Sequence, residues 1–188
     1  IFDNSGALFN QGAHFMATNP IIKIIEPILA IGFIIHIIWA SVLTLQNQKA
    51  RPVKYALRNQ SQNATWASRN MVLIFLVIHL YNFWWNIKFP SLGTPLSAIT
   101  VGGVEMEDTY TLVSSLFESS IVYCLIYILG AVLVGLHITH GFWSAFQTIG
   151  FSNDIWRKRL ECLAYFFAIV FAVGFSIIPL YFIAGLGN

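Results

Sequence analysis

Five histidines carry most of the chemistry this chain can offer. His36, His79 and His137 each lie deep inside a separate, mostly apolar stretch of about 20 residues or more, the length that crosses a bilayer core. An imidazole inside hydrocarbon is costly unless it binds something, so each marks a functional position. Three such side chains on three helices fit one ligand well: haem, gripped by side chains projecting from facing helices of a bundle. His140 stands three residues after His137 and points partly the same way, so spacing alone leaves either as a ligand. An i, i+3 pair of histidines also resembles a metal site, but no carboxylate or thiolate lies near enough in sequence to complete it. His14, in the amphipathic stretch Asn10-Gln11-Gly12-Ala13-His14-Phe15-Met16, reads as a solvated loop histidine or as a quinone contact at the membrane interface.

The elements that must position these residues are membrane helices. Hydrophobic residues make up 57% of the 188 and charged residues only 10%, against roughly 25% charged in a soluble domain, and mean hydropathy is +0.70. The expected fold is an all-α transmembrane bundle forming one membrane-anchor domain over residues 1–188, with spans at about 21–45, 64–87, 119–146 and 160–183. Asn19-Pro20 is a helix-start signal before the first span, and Tyr81, Trp84 and Trp85 form an aromatic belt at the end of the second. Ile1-Phe2-Asp3-Asn4 reads like the tail of an apolar segment running into a loop, so a further upstream segment is expected. Cys124 and Cys162 fall in apolar helical stretches without a CxxC pattern, as buried small hydrophobes do. A net charge of +2 gives no footprint for nucleic acid.

Loop charges set the orientation. Lys49, Arg51, Lys54, Arg58 and Arg69 lie between spans one and two with no acidic residue, and Arg157, Lys158 and Arg159 lie between spans three and four against Asp154. The loop between spans two and three carries Glu105, Glu107 and Asp108 against Lys88. By the positive-inside rule the basic loops are cytoplasmic and the acidic loop is outside. His36 precedes Leu45 by nine residues and His137 precedes Phe146 by nine, so both sit roughly 14 Å from the inner end of their spans at 1.5 Å per residue. Equal depth lets these two grip one iron from opposite sides. His79 lies nearer the outer face and has no partner of equal depth here.

Gly32 and Gly141 stand four residues from His36 and His137 respectively, each on its histidine's helix face. A missing side chain there makes room for a flat macrocycle, or serves close helix packing. Glu26 and His14 are the outer-side titratable groups available for quinone proton exchange, although Glu26 can instead pair with Lys23.

At this point the residues suggest a family. Asn19-Pro20-Ile21, Glu26-Pro27 and Gly32-Phe33-Ile34-Ile35-His36, then His79-Leu80-Tyr81, then Leu136-His137-Ile138-Thr139-His140-Gly141-Phe142-Trp143 resemble the dihaem cytochrome b membrane anchor of succinate:quinone oxidoreductases (succinate dehydrogenases and fumarate reductases) of the single-chain, five-helix, menaquinone type. The resemblance spans nearly the whole chain and implies one further helix before it. It implies that His36 and His137 ligate the iron of the proximal haem b, with His137 rather than His140 the ligand. His79 and a histidine outside this segment would hold the distal haem b. Gly32, Gly141 and Arg69 would line the cofactors, Arg69 as a propionate partner set within the helix. The implied partners are a flavoprotein subunit carrying FAD and an iron–sulfur subunit on the inner face, with lipid and menaquinone in the membrane and a higher oligomer of the complex allowed. Such a chain belongs in the bacterial cytoplasmic (inner) membrane as a multi-pass protein of electron transport and the tricarboxylic acid cycle. The enzyme is the complex: succinate chemistry falls to a partner subunit, and no catalytic residue is expected here.

One departure matters. In fumarate reductases of this family that return protons across the membrane, a glutamate lies two residues before the third-span histidine, and here that position is Gly135. Two other classes keep a claim: a hydrogenase- or formate-dehydrogenase-type cytochrome b anchor, and a proton-coupled transporter. The latter would favour paired broken helices, which the sequence lacks.

Overall fold

The computed structural model describes residues 6–50, 60–151 and 153–186, and only the backbone of 60–69. The basic residues Arg51, Lys54 and Arg58 lie outside the described residues, as does the Arg69 side chain. The elements run α1 (Ala7–Thr18), α2 (Pro20–Lys49), α3 (Gln60–His79), a π-helical turn (Leu80–Trp85), α4 (Asn86–Lys88), β1 (Ala98–Val101), β2 (Val104–Glu107), α5 (Thr109–Ser119), α6 (Ile121–Thr148) and α7 (Asp154–Ile183). Among the described residues, four helical stretches are long and apolar enough to cross a membrane: Pro20–Lys49, Asn70–Lys88, Ile121–Thr148 and Asp154–Ile183. The chain therefore has the make-up of a multi-pass membrane protein.

Local chemistry sets the helix ends. Asn19 caps α2, its Oδ1 accepting from the Ile21 amide at 2.9 Å, with Pro20 at the first helical position, where a missing N–H costs nothing. Asn153 caps α7 by accepting from Ile155 and Trp156 at 3.1 and 2.9 Å. This moves the start of that helix back to Asp154, six residues before the apolar run alone would place it. Helix α6 closes with Phe151 N on Phe146 O and Gly150 N on Gln147 O, the Schellman pattern that places Gly150 at a φ of 79°.

Two features depart from an all-α expectation. Residues 98–107 form an antiparallel hairpin, Val101 pairing with Val104 across Gly102-Gly103, whose φ angles of 60° and 82° are those of a tight hairpin turn. The extended Ser120 also separates α5 from α6, so the third span begins at Ile121 rather than Ser119.

Packing is tightest between α6 and α7. A Cβ built on Gly135 would stand 2.9 Å from the Ala168 carbonyl oxygen and 3.1 Å from the Ala172 Cβ, and Ala131, Ala164 and Ala168 are buried in the same region. Small residues let two membrane helices approach closely and gain dispersion contact, where lipid supplies no hydrophobic drive. Helix α3 lays Phe75 over Gly130 of α6. An aromatic cluster of Phe75, Phe83, Phe117, Tyr127 and Phe182 gathers around buried Cys124. Cys162, expected to be buried, is exposed on α7.

Outside the spans, α1, β2 and α5 pack together on the side expected to face outward. Asn10, only 1% exposed, joins them: its Nδ2 donates to Asp108 Oδ1, and its Oδ1 accepts from Thr109 Oγ1 and the Tyr110 amide. Asp108 in turn caps α5 through Thr111 N and Oγ1. Burial works against the Asp108 carboxylate, but these hydrogen bonds prevail and hold its pKa below the usual carboxylate range.

Candidate functional site

Helix α2 stands off from the other three spans, with no buried residue along its length. Near its N-terminal end Glu26 reaches across to the second span, Oε2 lying 2.8 Å from Lys88 Nζ and Oε1 accepting from Trp84 Nε1 at 2.9 Å. Glu26 thus pairs with a lysine 62 residues away rather than with Lys23. An i, i+3 partner on an exposed helix surface is worth only a few tenths of a kcal/mol, whereas the ammonium and indole N–H together satisfy both carboxylate oxygens.

Between α2 and α3, α6 and α7 lies an apolar cavity of about 1060 Å³, at the upper end of the ~300–1,000 Å³ of small-molecule and cofactor pockets. His36, His79 and His137 all line it, reaching in from α2, α3 and α6. Phe9 and Ala13 of α1 and Thr109 and Val113 of α5 line it as well, and Phe171, Phe175 and Pro179 wall it from α7.

His36 and His137 meet there. Their ring centres are 6.2 Å apart and their planes are inclined at 87°. A metal bound by one nitrogen of each ring needs ~2 Å to each nitrogen, and each nitrogen lies ~1 Å from its ring centre, so the centres of a bis-imidazole pair stand about 6 Å apart. The observed separation fits that span, and the ring planes are free to rotate about the metal–nitrogen axis. Among the described residues no three His, Cys, Asp or Glu side chains gather around one point. Two imidazoles facing an apolar cavity suit haem, which brings its own equatorial nitrogens and takes axial ligands from the protein.

His140 does not line the cavity; it is exposed and lies against Trp143, ring centres 5.8 Å apart. His79 is exposed but has three ring neighbours, at 5.9 Å (Phe75), 5.3 Å (Phe83) and 6.1 Å (Tyr127). Sequence reasoning missed Tyr127 and Asn82, which donates from Nδ2 to the Tyr127 hydroxyl at 3.1 Å. The available signal was an amide inside an apolar span, three residues after a histidine.

The remaining predicted residues lie elsewhere. Gly32 and Gly141 do not line the cavity, and a Cβ on either would meet nothing within 4 Å, so close packing does not require glycine at these positions. His14 is half-buried on α1, in a helix rather than a loop, and is not among the cavity-lining side chains; Glu26 is likewise outside the lining. No family model, no curated protein and no solved structure matches the chain.

Proposed function

We propose that this chain is the cytochrome b membrane anchor of a succinate dehydrogenase or fumarate reductase, carrying electrons between an iron–sulfur partner subunit and menaquinone in a bacterial inner membrane. The observation that carries this is the meeting of His36 and His137 at 6.2 Å in a cavity that His79 also lines. His36 and His137 would hold one haem b, and His79 would supply a ligand to a second. Bound between two imidazoles, haem offers one-electron transfer without an open iron position for oxygen.

The chain's own residues do the rest. Helices α2 and α6 would present the paired imidazoles, and α3 and α7 would supply aromatic and aliphatic walls around the haem. Arg157, Lys158 and Arg159 at the start of α7 suit an inner surface that docks partner subunits, although a positive-inside face accounts for these charges too. At the outer end, Glu26 with Lys88 is the ionisable pair nearest to where quinone would exchange protons. Gly135 supplies no proton relay in α6, and its close approach to Ala168 and Ala172 leaves no room for a titratable side chain.

The test is haem content in the complex that carries this chain. A pyridine haemochrome assay should return two b haems per chain, and the complex should purify with a flavoprotein and an iron–sulfur protein. His36→Ala or His137→Ala should each remove one haem, and His140→Ala should leave the reduced-minus-oxidised spectrum intact. Zero haem in the wild-type complex would overturn the assignment.

A further inference from the structure

We infer that Tyr127, pinned by Asn82, is a positioning residue for His79, and that the π-helical turn after His79 exists to present Asn82 to it. The inference rests on the haem assignment of His79 proposed above.

The second span leaves α geometry at Leu80, one residue after His79, and runs as a π turn to Trp85. Such turns are rare and recur at functional sites. In an apolar span a carbonyl left without its i+4 amide needs another partner. Asn86 supplies it, donating from Nδ2 to the carbonyls of Tyr81 and Asn82 at 3.1 and 2.9 Å, while its Oδ1 accepts from the Thr94 amide at 2.7 Å. The distortion is therefore built in and held by a side chain.

What the turn presents is Asn82, whose amide crosses to α6 and binds the Tyr127 hydroxyl. Tyr127 is 7% exposed, with ring centres 5.4, 5.5 and 5.1 Å from Phe75, Phe83 and Phe117. A phenol packed this way and tied at its oxygen has no second orientation available. Its ring forms the wall that α6 contributes beside His79, whose other ring neighbours, Phe75 and Phe83, come four residues before and after it on its own helix. The imidazole itself stays exposed and lines the cavity beside these rings. Polar Asn82 in a membrane span is costly without such a use. The geometry thus separates two roles: Tyr127 and its amide partner orient the imidazole, and His79 binds.

The purified complex tests this. The low-spin electron paramagnetic resonance signal of the haem bound by His79 is identified by its loss in His79→Ala. In Tyr127→Phe, which keeps the ring and removes only the hydroxyl, and in Asn82→Leu, haem content should stay at the wild-type level. The His79 signal should shift and broaden and its midpoint potential should move, while the haem held by His36 and His137 keeps both. An unmoved His79 signal in Tyr127→Phe would overturn the inference with the haem assignment intact. Equal movement of both haems would overturn it too, because that is general loosening of the bundle. If Asn82→Leu fails to assemble, Tyr127→Phe decides alone. Full haem content in His79→Ala would overturn the haem assignment itself, and this inference with it.

Discussion

Replacing Gly135 by alanine tests the close crossing of α6 and α7 that excludes a proton-relaying side chain beside His137. The added Cβ would stand 2.9 Å from the Ala168 carbonyl oxygen and 3.1 Å from the Ala172 Cβ. The first neighbour is backbone and cannot rotate aside, so the helices must separate by a few tenths of an ångström. Overpacking of this kind costs roughly 1–3 kcal/mol, and alanine returns about 1 kcal/mol of helix propensity over glycine. Gly174 of α7 is the control, since a Cβ there meets nothing within 4 Å and only the propensity gain applies. The two Gly→Ala substitutions should therefore differ in stability by roughly 1–3 kcal/mol, Gly135→Ala being the less stable. Unfolding of the detergent-solubilised protein by a denaturing detergent, followed by tryptophan fluorescence, measures the difference. Equal stability of the two variants would refute the close crossing. Gly135→Glu should then be worse than Gly135→Ala, because a longer and charged side chain enters the same contact.

On the proposed function, if α6 carries no proton, quinone would exchange protons with the outer side while succinate chemistry would exchange them inside. Succinate oxidation by menaquinone should then be driven by the membrane potential, at ~2.3 kcal/mol per elementary charge per 100 mV. An uncoupler should slow that electron flow in energised proteoliposomes, and indifference to it would mean an electroneutral reaction. Outside the spans, hydrogen bonds hold the Asp108 carboxyl below its ordinary pKa, so its contribution to folding is present at neutral pH and fades as pH falls through the lowered value. Hydrogen exchange should show α1 and α5 losing protection together in acid. The same acid response in Asp108→Asn would remove Asp108 as the cause.

Much of the scaffold was legible because its causes are local. Long apolar runs give membrane helices, Asn19-Pro20 gives a start, and imidazoles within those runs stand out against their neighbours. Even the unexpected hairpin had a local signal, Gly102-Gly103 flanked by Val101 and Val104. Which face of each helix looks inward is a different kind of information. A membrane helix is apolar all round, so periodicity does not distinguish a bundle-facing side from a lipid-facing one. Spacing therefore left His137 and His140 open, whereas packing turns the first to the cavity and the second to Trp143. It equally left Glu26 with Lys23 as a partner, because Lys88 comes near only where the ends of α2 and the second span meet in the fold. The same limit hid the contact of Tyr127 with His79 and the tightness at Gly135. Each is a contact between helices distant in sequence, decided by how side chains from different spans fill shared space.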